Sequence, residues 1–270
     1  MELFDNPDLN INGITSELTI PELIFAMCRG GWPESLNKKT EKQQLMIAKS
    51  YLDIICDIDT TTIDGVKRNP DKVKSLLKSY SRNISSFAKN TTIIADIQEH
   101  HGTMSEATYY DYINVLKQLF IIDETKAWMP NIRSKTAIKN SFKKSFIDPS
   151  IAVVALDLTP EKLLYGLETG GYIFENLCIR DLKIYSSKLG GKVLQYHDQD
   201  DLEVDAVVVL SNGDYALIEF KLGSKEEEEG ASNLLKLRSI INKKKRIWRY
   251  KNSRTKIFSY NNWWENGSYT

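Results

Sequence analysis

The chain has 270 residues, and its 36 lysines and arginines balance 36 aspartates and glutamates, so the formal charge is zero. A hydrophobic fraction of 41% with 27% charged residues is globular composition, which excludes collagen-like repeats and wholesale disorder. No apolar run approaches the roughly 20 residues of a membrane span. Met1 to Asn10 lacks the basic start and apolar stretch of a secretory signal, and Cys28, Cys56 and Cys178 lie far apart, which suits a reduced, cytoplasmic protein.

Residues 1 to 84 read as a helical region. Pro21 opens a helix from Glu22 to Arg29, and Gly30-Gly31-Trp32-Pro33-Glu34 stops it. A second helix spans Thr40 to Cys56, with Leu45, Ala48, Leu52 and Ile55 on it. Asp57, Asp59 and Asp64 lack the oxygen spacing and terminal glutamate of a calcium loop and read as a solvated turn. Pro70 starts a helix to Ser81, with Val73, Leu76, Leu77 and Tyr80 on one stripe.

Residues 85 to 130 carry a compact pattern. Phe87 to Ile97 suggests a short helix, and His100-His101-Gly102 a turn; the adjacent histidines lack the i, i+4 spacing of a helical metal site. Ser105 is a good N-cap for a helix to Leu119. Phe120 to Ile122 and Thr125 to Trp128 then read as short strands. Helix, tight turn, helix and β-wing is the order of a winged helix-turn-helix. A DNA-contacting version would place Thr108, Tyr109, Asp111, Tyr112 and Asn114 near a groove, but Lys117 is the only cation on that helix. Winged helices also serve as protein–protein connectors. Pro130 to Ser145 is polar and basic, a linker or surface loop.

Residues 146 to 270 read as an α/β domain. Phe146 to Pro149 is a short strand and turn, and Gly170-Gly171 precedes a helix from Tyr172 to Ser186 that carries Glu175. Val193 to Tyr196 and Glu203 to Leu210 are strands, and Asn212-Gly213 is a strong hairpin signal before a return strand from Tyr215 to Leu222. Glu226 to Glu229 reads as a solvated loop before a helix from Gly230 to Ile241.

The motifs of several common catalysts are missing. Gly190-Gly191-Lys192-Val193 lacks the glycine spacing and hydroxyl of a P-loop, so ATP hydrolysis by that chemistry is excluded for these residues. The out-of-place residues are instead Asp205, Glu219 and Lys221, which interrupt apolar strands. Glu219 and Lys221 are i, i+2 and share a strand face. Buried carboxylates are normally paired or bound to metal. Two carboxylates with an ammonium make a natural site for a hard divalent cation, Mg²⁺ or Mn²⁺, with Asp205 and Glu219 as ligands and Lys221 stabilising developing charge. The bland alternative is a Glu219–Lys221 ion pair at a sheet edge, with no metal.

Asp205, thirteen intervening residues and Glu219-x-Lys221 on a hairpin resemble the PD-(D/E)xK nuclease pattern. In that resemblance Glu175 takes the place of the accessory carboxylate. Gly30-Gly31-Trp32-Pro33-Glu34, Tyr51 to Ile58, Gly171-Tyr172-Ile173-Phe174-Glu175-Asn176, Glu203-Val204-Asp205 and Ile218-Glu219-Phe220-Lys221 together resemble the C-terminal half of a prokaryotic family. Its members usually join an AAA-type P-loop ATPase to a C-terminal domain of unknown function, a winged helix followed by a PD-(D/E)xK restriction-endonuclease-like fold. The resemblance implies an α+β or α/β chain, a Mg²⁺-dependent DNA phosphodiesterase module and a separate or fused AAA-type ATPase as partner. The rival expectation is a non-enzymatic module that binds DNA or the ATPase.

The family tends to end in further apolar strands, whereas Arg246 to Thr270 is polar. From Gly230 to Trp264 there are ten cations and no acid, interleaved with aromatics, which fits a nucleic-acid face through Lys236, Lys243, Lys244, Lys245 and Arg246. An altered, poorly packed terminus fits equally.

Overall fold

A computed structural model describes residues 17–130, 142–222, 227–245 and 255–260. The chain is α+β and divides into two compact units, each drawn from separate stretches of sequence. The helical unit takes in Ile20–Glu124 and Lys143–Leu177. The sheet unit takes in Thr125–Phe142 and Cys178–Thr270, so far as these are described.

In the helical unit, α1 (Ile20–Arg29) is followed by the single turn α2 (Pro33–Leu36). Helix α3 (Glu41–Ile54) opens on a full capping box, Thr40 with Gln43, and runs on as a π-helical stretch, Ile55–Asp59. Helix α4 (Pro70–Arg82) starts where Asn69 accepts from the Asp71 and Lys72 amides, with Pro70 in its first turn. Helices α5 (Asn90–His100) and α6 (Glu106–Gln118) follow, and Ser105 caps α6 as its sequence predicts. Their apolar stripes meet in one core containing Leu76, Leu77, Tyr80, Ile93, Ile97, Tyr109 and Leu116.

The strands expected at Phe120 to Ile122 and Phe146 to Pro149 shrink to one antiparallel bridge, Ile122 with Phe146. Backbone bonds extend it: Asp123 N donates to Ser145 O, Ile147 N to Ile121 O and Ser85 N to Lys144 O. Two short extended segments therefore lie side by side, and the turn at Ser85, φ +55°, bonds to the second of them. Asn176 grips the middle of this ladder, accepting from the Phe146 amide at 2.8 Å and donating to the Phe146 carbonyl at 2.9 Å. Two short helices that the sequence pattern did not suggest, α7 (Ser150–Ala155) and α8 (Pro160–Tyr165), come next.

Gly30 shows why the glycine–tryptophan motif is needed here. Its φ is +74°, and an added Cβ would stand 2.5 Å from both Asp148 Oδ1 and Ser150 Oγ. Those two side chains are themselves engaged by the motif: the Gly31 amide donates to Asp148 at 2.9 Å, and the Trp32 indole to Ser150 at 2.8 Å. Only hydrogen fits.

Helix α9 (Leu167–Ser187) begins before Gly170-Gly171, so that pair lies inside the helix rather than ahead of it. In the sheet unit, β1 (Lys192–His197), β2 (Glu203–Val209) and β3 (Tyr215–Phe220) form an antiparallel meander. Asp198 organises the first turn by accepting from the Asp200 and Leu202 amides, and Gly213, at φ +89°, closes the second. Helix α10 (Glu227–Lys245) then crosses to β4 (Thr255–Tyr260), which pairs parallel to β3. Two expectations are corrected here. Glu227 to Glu229 are helical rather than a loop, with Glu226 outside the described residues, and the polar tail contributes a strand. The strand expected from Thr125 to Trp128 is a single parallel bridge, Ala127 with Gln195.

Helix α10 covers one face of the sheet. Its residues Leu234, Leu237 and Ile241 pack with Val207, Tyr215 and Leu217 in the second core, and the Trp128 ring lies tilted against Tyr215 there.

Candidate functional site

Ala206 pairs with Ile218 in the β2–β3 ladder, so Asp205 stands opposite Glu219, one step further along. Strand alternation puts both carboxylates on the face that carries Val207 and Leu217, beneath α10. Both are buried, Asp205 at 5% exposure and Glu219 at 2%. Like charges directly opposite in a sheet are destabilising, and burial increases the cost.

Three local bonds compensate in part. The Phe220 amide donates to Asp205 Oδ2 at 2.9 Å. Lys221 Nζ lies 2.9 Å from Glu219 Oε2 and 3.8 Å from Asp205 Oδ2. Glu219 Oε1 is buried without a hydrogen-bond partner. Burial first, and the Asp205 charge second, push the Glu219 carboxyl up to about 8; Lys221 opposes this and does not prevail. The site therefore holds a carboxylate pair that keeps a proton near neutral pH and lacks full neutralisation.

This donor set fits a hard divalent cation: two carboxylates in register, one with an oxygen lacking a partner. Among the described residues no group of three or more His, Cys, Asp or Glu side chains is arranged for a metal. Mg²⁺ is commonly held by one or two carboxylates, with water and substrate phosphate completing its shell, so two are enough for that ion.

Glu175 is placed on α9 within the helical unit, where Lys143 holds it at 2.5 Å. Lys143 also lies over the Phe87 ring. Sequence reading saw Glu175 but missed this partner, because Lys143 sits in a stretch whose basic character looked like that of a solvated loop.

The nucleic-acid candidates fare unevenly. Lys236 is exposed on α10 and borders a hollow of about 420 Å³ that it shares with Asp198, Asp200 and Asp201, surroundings that repel phosphate. Lys243, Lys244 and Lys245 lie in the last turn of α10, and their side chains are outside the described residues, as is Arg246. On α6, Tyr109 and Tyr112 turn into the core instead of outward. Asp111 is taken by the Arg68 fork, at 2.9 and 3.0 Å. A larger hollow, about 950 Å³, lies in the helical unit between α3 and α4 and contains none of the expected site residues.

Comparison with known proteins places two domains on the chain. A family model described as a domain of unknown function (DUF8612) matches residues 20–162, and a second domain of unknown function (DUF4143) matches residues 170–264. No curated protein and no solved structure matches.

Proposed function

We propose that this chain, which belongs to the DUF8612 family, is a Mg²⁺-dependent phosphodiesterase module acting on DNA in company with an AAA-type ATPase. The observation that carries the reading is the buried Asp205–Glu219 pair, in register on adjacent strands, with Lys221 against it. A pair so costly to bury is best accounted for by a cation that binds it. The order of elements supports it too: α9, three antiparallel strands, α10 and a parallel β4, with the acids on the second and third strands. That order accords with the PD-(D/E)xK resemblance. In the helical unit, α5, the turn after it and α6, followed by the Ile122–Phe146 bridge, support the winged-helix reading. The ATPase partner rests on the motif resemblance.

A bound Mg²⁺ would polarise the phosphodiester and lower the pKa of an attacking water. Asp205 and Glu219 would hold it, Glu219 giving up its proton on binding. Asp205 also receives the Phe220 amide, which fixes its carboxylate relative to β3. Lys221, displaced from Glu219, would turn its ammonium toward charge developing on the phosphate. An accessory role for Glu175 rests on the motif resemblance alone.

One observation favours a non-enzymatic binding module: Lys221 already gives Glu219 a partner at 2.9 Å without any metal. The test that separates the two is cleavage of single- and double-stranded DNA with Mg²⁺ or Mn²⁺ by wild type, Glu219→Gln and Asp205→Asn. Metal-dependent cleavage lost in both variants supports the enzyme. Equal inactivity of all three refutes it.

A further inference from the structure

Helix α10 presents an evenly spaced stripe to the sheet: Gly230, Leu234, Leu237 and Ile241, all buried. The three large members cover the apolar part of β3, Tyr215 and Leu217. The glycine falls where β3 turns polar. A Cβ at Gly230 would meet Lys221 Cε at 3.2 Å, Glu219 Cβ at 3.4 Å and Glu219 Cγ at 3.6 Å. No positive φ explains this glycine, and within a helix glycine is less favourable than alanine. What it provides is room: the stem of Lys221 runs across the space where any other residue would carry its side chain.

We propose that Gly230 is a positioning residue, whose bare Cα lets the Lys221 stem lie against α10 so that its ammonium reaches Glu219 and Asp205. A methyl at 230 meets the far end of a flexible side chain, Lys221 Cε, rather than backbone, so the lysine yields and the helix does not. Gly230→Ala should keep the fold and move Lys221. The placement of Lys221 stands on geometry alone; its consequence for cleavage rests on the function proposed above.

The experiment measures the acetylation rate of Lys221 relative to Lys236 in the same full-length molecule, by peptide mass spectrometry, in wild type and Gly230→Ala. The urea midpoint is measured alongside. The expected result is a relative rate raised about threefold or more, the scale set by loss of a partly buried ion pair, with the midpoint not lowered. An unchanged rate overturns the proposal. If Gly230→Ala does lower the midpoint, the substitution is repeated in Lys221→Ala, where the stem is gone. A loss that vanishes there shows methyl and stem competing for one space, and an equal loss in both backgrounds overturns the proposal. Cleavage, where wild type shows it, should fall in Gly230→Ala and fall no further when Gly230→Ala is added to Lys221→Met. If wild type cleaves nothing, the phosphodiesterase reading fails while the labelling result still decides the role of Gly230.

Discussion

Replacing Glu219 by glutamine removes the ionisation that the fold resists, and the effect must depend on pH. The carboxyl sits at about 8 in the folded protein against an ordinary 4.5. The native state therefore holds this proton more tightly than the unfolded chain. The resulting stabilisation is complete below 4.5 and is lost as pH rises through 8. At 1.36 kcal/mol for each tenfold change in proton affinity, the ceiling is about 5 kcal/mol. Asp205 and Lys221 rearrange when Glu219 ionises, so the observable share is set at about 1–3 kcal/mol. Glutamine keeps the size and loses the titration. Native-state hydrogen exchange of the β2 and β3 amides, at pH 5 and pH 8.5, reads the opening free energy of the sheet unit in both proteins. Glu219→Gln should gain on wild type by that amount between the two values. Mg²⁺ at a hundred times its dissociation constant should return about 2.7 kcal/mol to wild type and nothing to the variant. A gap independent of pH, or one that closes on alkalising, would refute the burial argument.

Two other predictions concern the helical unit. Gly30→Ala combines a left-handed backbone with a clash at 2.5 Å, and should cost about 3 kcal/mol or more by urea unfolding. Lys144 is buried and donates to Glu124 at 2.7 Å and to Asn90 at 3.1 Å. Lys144→Met should cost roughly 2–4 kcal/mol, because it strips one cation from a buried carboxylate. Burial would raise the Glu124 carboxyl, but hydrogen bonds and charge from Lys117 and Lys144 hold it below its usual range. Its stabilisation is therefore present above the unfolded value and fades as the solution is acidified. Thermal melts below pH 5 should show the Lys144→Met deficit shrinking, and a deficit that grows on acidification would count against this reading.

The sequence was most legible where local chemistry and periodicity agreed. Thr40, Asn69 and Ser105 each precede an apolar helical stripe, and each caps the helix that begins there. Asn212-Gly213 joins the two strands it separates. Asp205 and Glu219 announced themselves as acids in apolar strands, and the antiparallel register brings them together. What escaped notice depended on long-range pairing. Gly170-Gly171 reads as the stretch ahead of a helix, but a continuous helix absorbs both residues. Tyr109 and Tyr112 fall on the apolar stripe with Ile113 and Leu116, and that spacing, rather than the groove-facing alternative, decides their burial. Lys143 and Glu175 are 32 positions apart, and nothing local links them. The β4 strand, in a stretch rich in cations and aromatics, has its partner 40 positions earlier.

The site and the core compete for the same face of the sheet, and that competition can be measured. Val207 and Leu217 continue directly from Asp205 and Glu219, under one helix. On packing grounds alone, apolar residues would serve better there, since replacing a buried charged cluster by hydrophobic side chains of similar volume is often stabilising by 1–4 kcal/mol. The triple replacement Asp205→Val, Glu219→Leu, Lys221→Met extends the stripe and exchanges the Asp205–Lys221 charges and the protonated Glu219 carboxyl for carbon. Hydrogen exchange at β2 and β3 should slow by a factor corresponding to about 2 kcal/mol at pH 7. The Phe220 amide, which loses its bond to Asp205, offsets part of the gain by about 1 kcal/mol. Divalent-metal binding should vanish in the same protein. A triple variant clearly less stable than wild type would mean that Asp205, Glu219 and Lys221 hold the sheet together as an ion cluster. The cost argument that points from their burial to a bound cation would then have lost its premise.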